Sequence, residues 1–145
     1  MIRTMTIADY DSVYALWIAT PGMGLNDIDD SRDGIGKYLA RNPKTCFVAE
    51  SNGQIIGAIL TGHDGRRGYI SHTAVAISER KKGVGTALLD AAMCALENEG
   101  ISKVNLVVFS KNEIGNEFWE NRGFTLRSDL NYRNRTIKEL KRFDT

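Results

Sequence analysis

The sequence predicts an α/β domain built on a mixed sheet, and three stretches carry that prediction. Asn52-Gly53 separates two strand-like runs at 46–49 and 54–60, and both central residues of a type I′ hairpin need the positive φ that asparagine and glycine tolerate. A strand-like run at 69–77, a helix-like stretch at 84–99 and a nearly continuous apolar run at 103–109 follow in βαβ order, which sets the two runs parallel. Ahead of them, 6–18 and 31–42 carry apolar residues at helical spacing. At 145 residues the whole chain, 1–145, is expected to form a single domain with its own core.

Taken in order, 2–5 reads as a first strand. Thr6 with Asp9 three residues on gives a capping box for a helix that presents Ile7, Tyr10, Val13, Tyr14, Trp17 and Ile18, and Pro21-Gly22 ends it. The second helix has an apolar edge at Ile35, Tyr38 and Leu39, is weakened by Gly34 and Gly36, and stops at Pro43. The helix at 84–99 is rich in helix formers and meets Gly100 as its C′ residue. Asn112 caps a short helix that turns Ile114, Phe118 and Trp119 inward and ends at Gly123; two last strands are expected at 125–132 and 136–143.

Nineteen basic against eighteen acidic residues leave no whole-molecule attraction to nucleic acid or to an anionic membrane, so charge acts only where it clusters. Cys46 and Cys94 have no metal-ligand spacing and read as reduced core thiols; no metal site is expected. The N-terminus lacks an apolar targeting segment and the longest apolar run, 91–96, is too short to span a bilayer, so the expectation is a cytoplasmic protein.

The chemistry concentrates in Arg80-Lys81-Lys82-Gly83-Val84-Gly85-Thr86. Glycines allow close backbone approach, the first turn of the following helix leaves N–H groups without intrahelical partners, and three cations stand beside them. An anion such as phosphate is the natural occupant. A dinucleotide fingerprint fails, because Leu88 stands where glycine or alanine belongs. Gly34-Ile35-Gly36-Lys37 fails as a P-loop, because Tyr38 replaces the magnesium-binding hydroxyl residue.

Arg80-Lys81-Lys82-Gly83-Val84-Gly85 resembles the R-x-x-G-x-G signature of the GNAT superfamily of N-acetyltransferases, placed between a strand and a long helix as that signature is. The stretch from Asn112 to Phe124 is similar to that family's second cofactor motif, N-x-x-A-x-x-F-Y-x-x-x-G-F, and the element order matches over essentially the whole chain. His63-Asp64-Gly65-Arg66-Arg67-Gly68-Tyr69-Ile70 further resembles a small bacterial subgroup. The resemblance implies a mostly antiparallel seven-stranded sheet with helices on both faces and a splay between the parallel strands at 69–77 and 103–109. It also implies acetyl-CoA as co-substrate: main-chain groups near Val75 and Ala76 and the side chain of Asn112 would hold the pantetheine, and Arg80, Lys81, Lys82, Gly83, Val84, Gly85 and Thr86 the pyrophosphate. The implied reaction is direct attack of a primary amine, of a small molecule or a protein N-terminus, on the thioester.

Two positions depart from the family pattern. Trp119, which would lie against the cofactor, stands where a tyrosine general acid is usual, and Val107 stands where one branch carries a glutamate base. These departures keep a second expectation alive, a non-catalytic acyl-CoA sensor or partner-binding module. Tyr69 and Ser71 match positions of catalytic residues on the equivalent strand. Imidazole is an ordinary proton acceptor near neutrality, but simple strand alternation sends His72 to the opposite face with Ile70 and Ala74. In the acidic loop 25–30, Asn26 and Asp27 are the expected contacts to a cationic acceptor, since this loop shapes the acceptor site in the family. A homodimer is left open, and Arg66-Arg67 without interleaved aromatics does not make a nucleic-acid patch.

Overall fold

The computed structural model describes residues 1–144. A five-stranded sheet in the order β1-β3-β4-β5-β6 is built from β1 (Ile2–Thr4), β3 (Phe47–Ser51), β4 (Gln54–His63), β5 (Gly68–Val75) and β6 (Val104–Leu106). Its pairs are antiparallel except β5 with β6. The hairpin forms where Asn52-Gly53 predicts it, with φ of 52° and 75°. A second, two-stranded sheet joins β2 (Leu25–Asn26) to β7 (Arg142–Asp144).

Helices cover both faces. On one, α1 (Tyr10–Ile18) and α2 (Arg32–Arg41) bury Val13, Leu16, Trp17, Ile35 and Leu39 against Val48, Ala58, Leu60 and Ala74. On the other, α3 (Val84–Asn98) sets Leu88, Leu89 and Ala92 on Ala49, Ile59 and Ile70. α3 comes so close that a Cβ on Gly57 of β4 would lie 3.0 Å from Leu88. The capping box forms, with the Asp9 carboxylate accepting from Thr6 N–H at 2.9 Å, and a single 3₁₀ turn at Ile7–Asp9 leads into α1. Arg3 ties this turn to the sheet by bonding both oxygens of Asp9 and one of Glu50.

Several expectations are corrected. No strand forms at 125–132: Arg127 and Asp129 pair with each other two residues apart, and Leu126 and Leu130 stay exposed. Of 136–143 only the end is a strand, and it pairs with Leu25-Asn26 in the loop after α1 rather than with the main sheet, which therefore has five strands. The apolar run at 103–109 is paired only at Val104–Leu106, beyond which Val107 and Phe109 face solvent. Within α4 (Glu113–Asn121) Phe118 and Trp119 turn inward but Ile114 is exposed; at the start and end of the first helical stretch Ile7 and Ile18 are exposed too. Cys46 is buried as expected, whereas Cys94 lies on the outer face of α3.

β5 and β6 are in register over three pairs, Gly68 with Val104 through Ile70 with Leu106. From Ser71 onward β5 has no partner on that side, and the sheet opens into a wedge at the carboxyl ends of its parallel strands.

Candidate functional site

The loop from 76 to 86 lies at the mouth of this wedge. A 3₁₀ turn at Ile77–Glu79 follows Ala76, Lys81 and Gly83 adopt left-handed φ of 62° and 85°, and Gly83 caps α3 without any side-chain acceptor. The N–H groups of the first turn thus point outward unclaimed. Nothing lies within 4 Å of a Cβ on Gly83, and Arg80, Lys81 and Lys82 are exposed, Lys82 pairing with Glu79 at 3.2 Å. Gly85 is tight instead: its Cβ would meet the Phe118 ring at 3.1 Å, so glycine lets α4 close on α3. Arg122 completes that contact, stacking over Phe118 and donating to the Thr86 hydroxyl at 2.6 and 2.9 Å.

Of the other residues singled out near the wedge, Ala76 N–H is spent on Ile56 O at 2.8 Å, and the Val75 carbonyl accepts from Arg80 Nε at 3.3 Å. Asn112 uses its side-chain oxygen to cap α4 at Gly115 N–H, and its amide nitrogen makes no hydrogen bond among the described residues. Trp119 packs edge-on between Phe118 and Phe124. Thr73 Oγ1, on the stretch of β5 that β6 leaves, is buried with no partner among the described residues.

On the α1/α2 side of β5 lies a cavity of about 1470 Å³. Tyr69, Ser71 and His72 all line it. The alternation expected to send His72 to the far face is overturned by a β-bulge: the pairing jumps from Ala58 with Ala74 to Leu60 with Ser71, so His72 and Thr73 together oppose one residue. His72 takes the extra turn with φ 42°, a left-handed conformation that costs a non-glycine residue about 1–3 kcal/mol. Its ring lies edge-on to Trp17 with centroids 5.0 Å apart, and Nε2 is 2.6 Å from Asp30 Oδ1. Nδ1 makes no hydrogen bond among the described residues and is not among the buried orphaned atoms, which leaves it open to the cavity.

Asp30 is 4% exposed and held from three sides. Its Oδ2 accepts from Asn26 N–H at 2.8 Å, its carbonyl from Tyr10 OH at 2.6 Å, and its Oδ1 faces His72. Gly34 makes the arrangement possible, because a Cβ there would collide with the Ile28 and Asp29 carbonyls where the loop folds back on α2. The glycine that weakens α2 in the sequence is what admits the loop. Within the loop, Asn26 Oδ1 accepts from Ile28 and Asp29 N–H, and Asp27 is bound to Lys141, N–H to carbonyl at 3.1 Å and carboxylate to N–H at 2.8 Å. Both residues line the cavity while serving these turns.

Ser71 and Tyr38 line the same cavity, and burial pushes the Tyr38 phenol far above the ordinary tyrosine value. Burial raises Tyr69 as well, with Tyr132 adding to the shift. Both phenols thus remain protonated donors at neutral pH. Asp30 and Tyr38 were not singled out in the sequence as site residues; their only local signals are the Ser31 cap that fixes the start of α2 and the glycine at 34.

Residues 10–124 match the family model described as acetyltransferase (GNAT) family. The chain belongs to the GNAT acetyltransferases. An acetyltransferase of Pectobacterium atrosepticum is 30% identical over 112 residues, 77% of this chain and 78% of its own. Among solved structures, Ard1 from Thermoplasma volcanium superposes with a TM-score of 0.79 at 23% identity, covering 88% of this chain and 84% of its own. The PaiA N-acetyltransferase of Thermoplasma acidophilum, solved with coenzyme A, gives 0.77 at 17% identity over 88% and 90%. The GNAT fold is thereby shown: a mixed sheet with one parallel pair, opened at the wedge. Among the described residues no helix is long and apolar enough to cross a membrane, and no group of three metal-binding side chains occurs.

Proposed function

We propose that this GNAT protein transfers an acetyl group from acetyl-CoA to a primary amine by direct attack, with His72 as the general base and Asp30 as its positioning residue. The observation that carries the reading is the 2.6 Å contact between His72 Nε2 and buried Asp30, set on the bulge beside the wedge. Acetyl-CoA, when bound, supplies the activated acyl group. The residues at its expected position fit such a ligand: an uncapped helix N-terminus, a left-handed glycine with open space before it, and a cluster of exposed cations suit a pyrophosphate. The unbonded amide nitrogen of Asn112 and the orphaned Thr73 hydroxyl suit a polar arm lying along the wedge.

Asp30 accepts a hydrogen bond from the Nε2–H, which fixes the tautomer that leaves the Nδ1 lone pair toward the cavity. Nδ1 takes a proton from the attacking nitrogen as the N–C bond forms and the C–S bond breaks. Tyr69 and Ser71, on the same wall, act as polar groups that orient the acceptor, with Tyr38 beside them in the lining. Asn26 and Asp27 border the same acceptor space. The departing thiolate is a fair leaving group, so a missing general acid, worth about 10²–10⁴-fold, still leaves measurable turnover.

A second reading, an acyl-CoA-binding module without turnover, draws its support from Trp119, a half-buried indole with no acidic proton at the position of the family tyrosine. Two measurements separate the readings. Acetyl-CoA at about 100 times its dissociation constant should add roughly 2.7 kcal/mol of stability, and no thermal shift at millimolar ligand contradicts both. Thiol release with any member of a panel of polyamines, amino acids, aminoglycosides and peptides supports the enzyme; silence with binding intact supports the module.

A further inference from the structure

The cavity has two chemically different ends. At the end beside the N-terminus of α2 stand His72 and Asp30; toward its C-terminus α2 presents Lys37 and Arg41, four residues apart on one face, and the β4–β5 turn presents Arg67 across from them. None of these three cations has a carboxylate within 4.0 Å among the described residues. The acidic side chains gather mostly at the first end: Asp27, Asp29 and Asp30 in the loop before α2 and Asp33 in its first turn, with only Asp64 near Arg67. Asp27 holds Lys141 N–H, Asp29 holds Asn26, Asp30 holds His72 and Asn26, and Asp64 accepts both Arg66 and Arg67 N–H. The lining is thus polarised, with the carboxylates of Asp27, Asp29, Asp30 and Asp33 at the end beside the base and Lys37, Arg41 and Arg67 against the single carboxylate of Asp64 at the other, although the chain as a whole carries only +1.

The separation can be read from the elements. From Gly34, beside the Asp30 loop, to Arg41 the helix rises about 10 Å at 1.5 Å per residue. From His72 back to Gly68, next to Arg67, the strand runs about 13 Å at 3.3 Å per residue. An extended peptide spans that distance in about three or four residues. The volume, about 1470 Å³, also exceeds the roughly 300–1,000 Å³ that holds a single small molecule.

We infer that the preferred acceptor is an unstructured peptide N-terminus with an acidic side chain at its third or fourth position, its α-amine at His72 and its carboxylate between Lys37, Arg41 and Arg67. The acetyl group passes from sulfur to the α-nitrogen and the α-amine proton to His72, as above; the cations take no part in the chemistry and decide which peptide is held. The inference deepens the proposed function and rests on it for the placement of the amine. It keeps the expectation that the acidic loop attracts a cationic amine, since the acids of that loop lie at the end where the α-amine would sit.

The test measures affinity first and turnover second, so that the two readings fail separately. Fluorescence anisotropy on the full chain, saturated with coenzyme A, compares three labelled peptides with a free alanine N-terminus and glutamate, glutamine or lysine at positions three and four. The glutamate peptide is expected to bind at least about tenfold more tightly than the glutamine peptide, and the lysine peptide more weakly than both. The double variant Arg41→Glu, Arg67→Glu should reverse the order; the altered side chains are at the surface and partly exposed, and an unchanged response to acetyl-CoA in a thermal melt shows that the variant is folded. Equal affinity for the three peptides, no binding at millimolar peptide, a preference for lysine or spermidine, or an order untouched by the double variant would each overturn the inference. Selective binding without thiol release leaves the inference standing and counts against His72 as the base.

Discussion

Replacing Asp30 by asparagine is isosteric, yet it should abolish most of the activity while leaving the fold in place. Both carboxylate oxygens are in use, Oδ1 toward His72 Nε2 at 2.6 Å and Oδ2 toward Asn26 N–H at 2.8 Å. Asparagine has one oxygen to offer. Leaving the half-buried Asn26 N–H without an acceptor costs about 1 kcal/mol or more, so the oxygen stays there and the amide NH₂ turns to the imidazole. As a donor it forces Nε2 to accept, the proton moves to Nδ1, and the lone pair that faced the cavity is gone. Loss of a general base is worth about 10²–10⁴-fold, or about 2.7–5.4 kcal/mol in the barrier. The assay is thiol release, read as kcat/KM from about pH 6 to about pH 9, alongside an acetyl-CoA thermal shift. The shift should match that of the parent, while kcat/KM falls at least about a hundredfold and its rising limb disappears. A variant that keeps kcat/KM within about threefold and an unaltered pH profile would refute the dyad.

Four further outcomes follow from the same geometry. His72→Gly relieves the left-handed strain and removes the imidazole, so it should stay folded, lose turnover and regain part of it when imidazole is added to the assay; absence of rescue in a folded, acetyl-CoA-binding variant argues against the base. Gly83→Ala meets no atom but must adopt φ 85°, so the melt should show a loss of about 1–2 kcal/mol together with weaker acetyl-CoA stabilisation. Gly34→Ala drives a methyl into the Ile28 and Asp29 carbonyls, and should cost about 1–3 kcal/mol and much of the turnover with acetyl-CoA binding retained. Arg3 holds the Asp9 carboxylate below its ordinary range, chiefly through their hydrogen bonds, so the pair stabilises the protein above the carboxylate's unfolded pKa near 3.8 and ceases to do so as pH falls through the lower folded value. In urea titrations Arg3→Ala should therefore destabilise by about 1–2 kcal/mol at pH 7, discounted for the partly exposed guanidinium, and by little at pH 2.

The features legible in the sequence are those whose cause is local. Asn52-Gly53, Gly83 and Gly100 declare their turns because positive φ is a property of the residue itself, and the structure has 52°, 75°, 85° and 80° there. The Asn112 cap and the basic loop ahead of α3 are local in the same sense. What was not legible depends on partners. The bulge at His72 exists because β4 pairs Leu60 with Ser71 and Ala58 with Ala74, and no property of His72 or Thr73 announces that jump. Asp30 looks like any acid of a polar loop until Gly34 lets that loop fold back onto α2 beside the bulge. The last stretch misled for the opposite reason: Leu126, Leu130 and Ile137 have the spacing and character of strand residues, but β6 offers an edge of only three residues and the chain continues to Arg142 before it pairs, and then with Asn26.

The bulge also makes chain length into a chemical variable. Deleting one residue between Ser71 and Ala74 would restore an unbroken ladder to β4, remove the left-handed residue and turn the imidazole away from the cavity, giving a better sheet and no base. On the proposed mechanism, a single-codon deletion at this position should withdraw the imidazole while leaving the loop that would receive the cofactor in place.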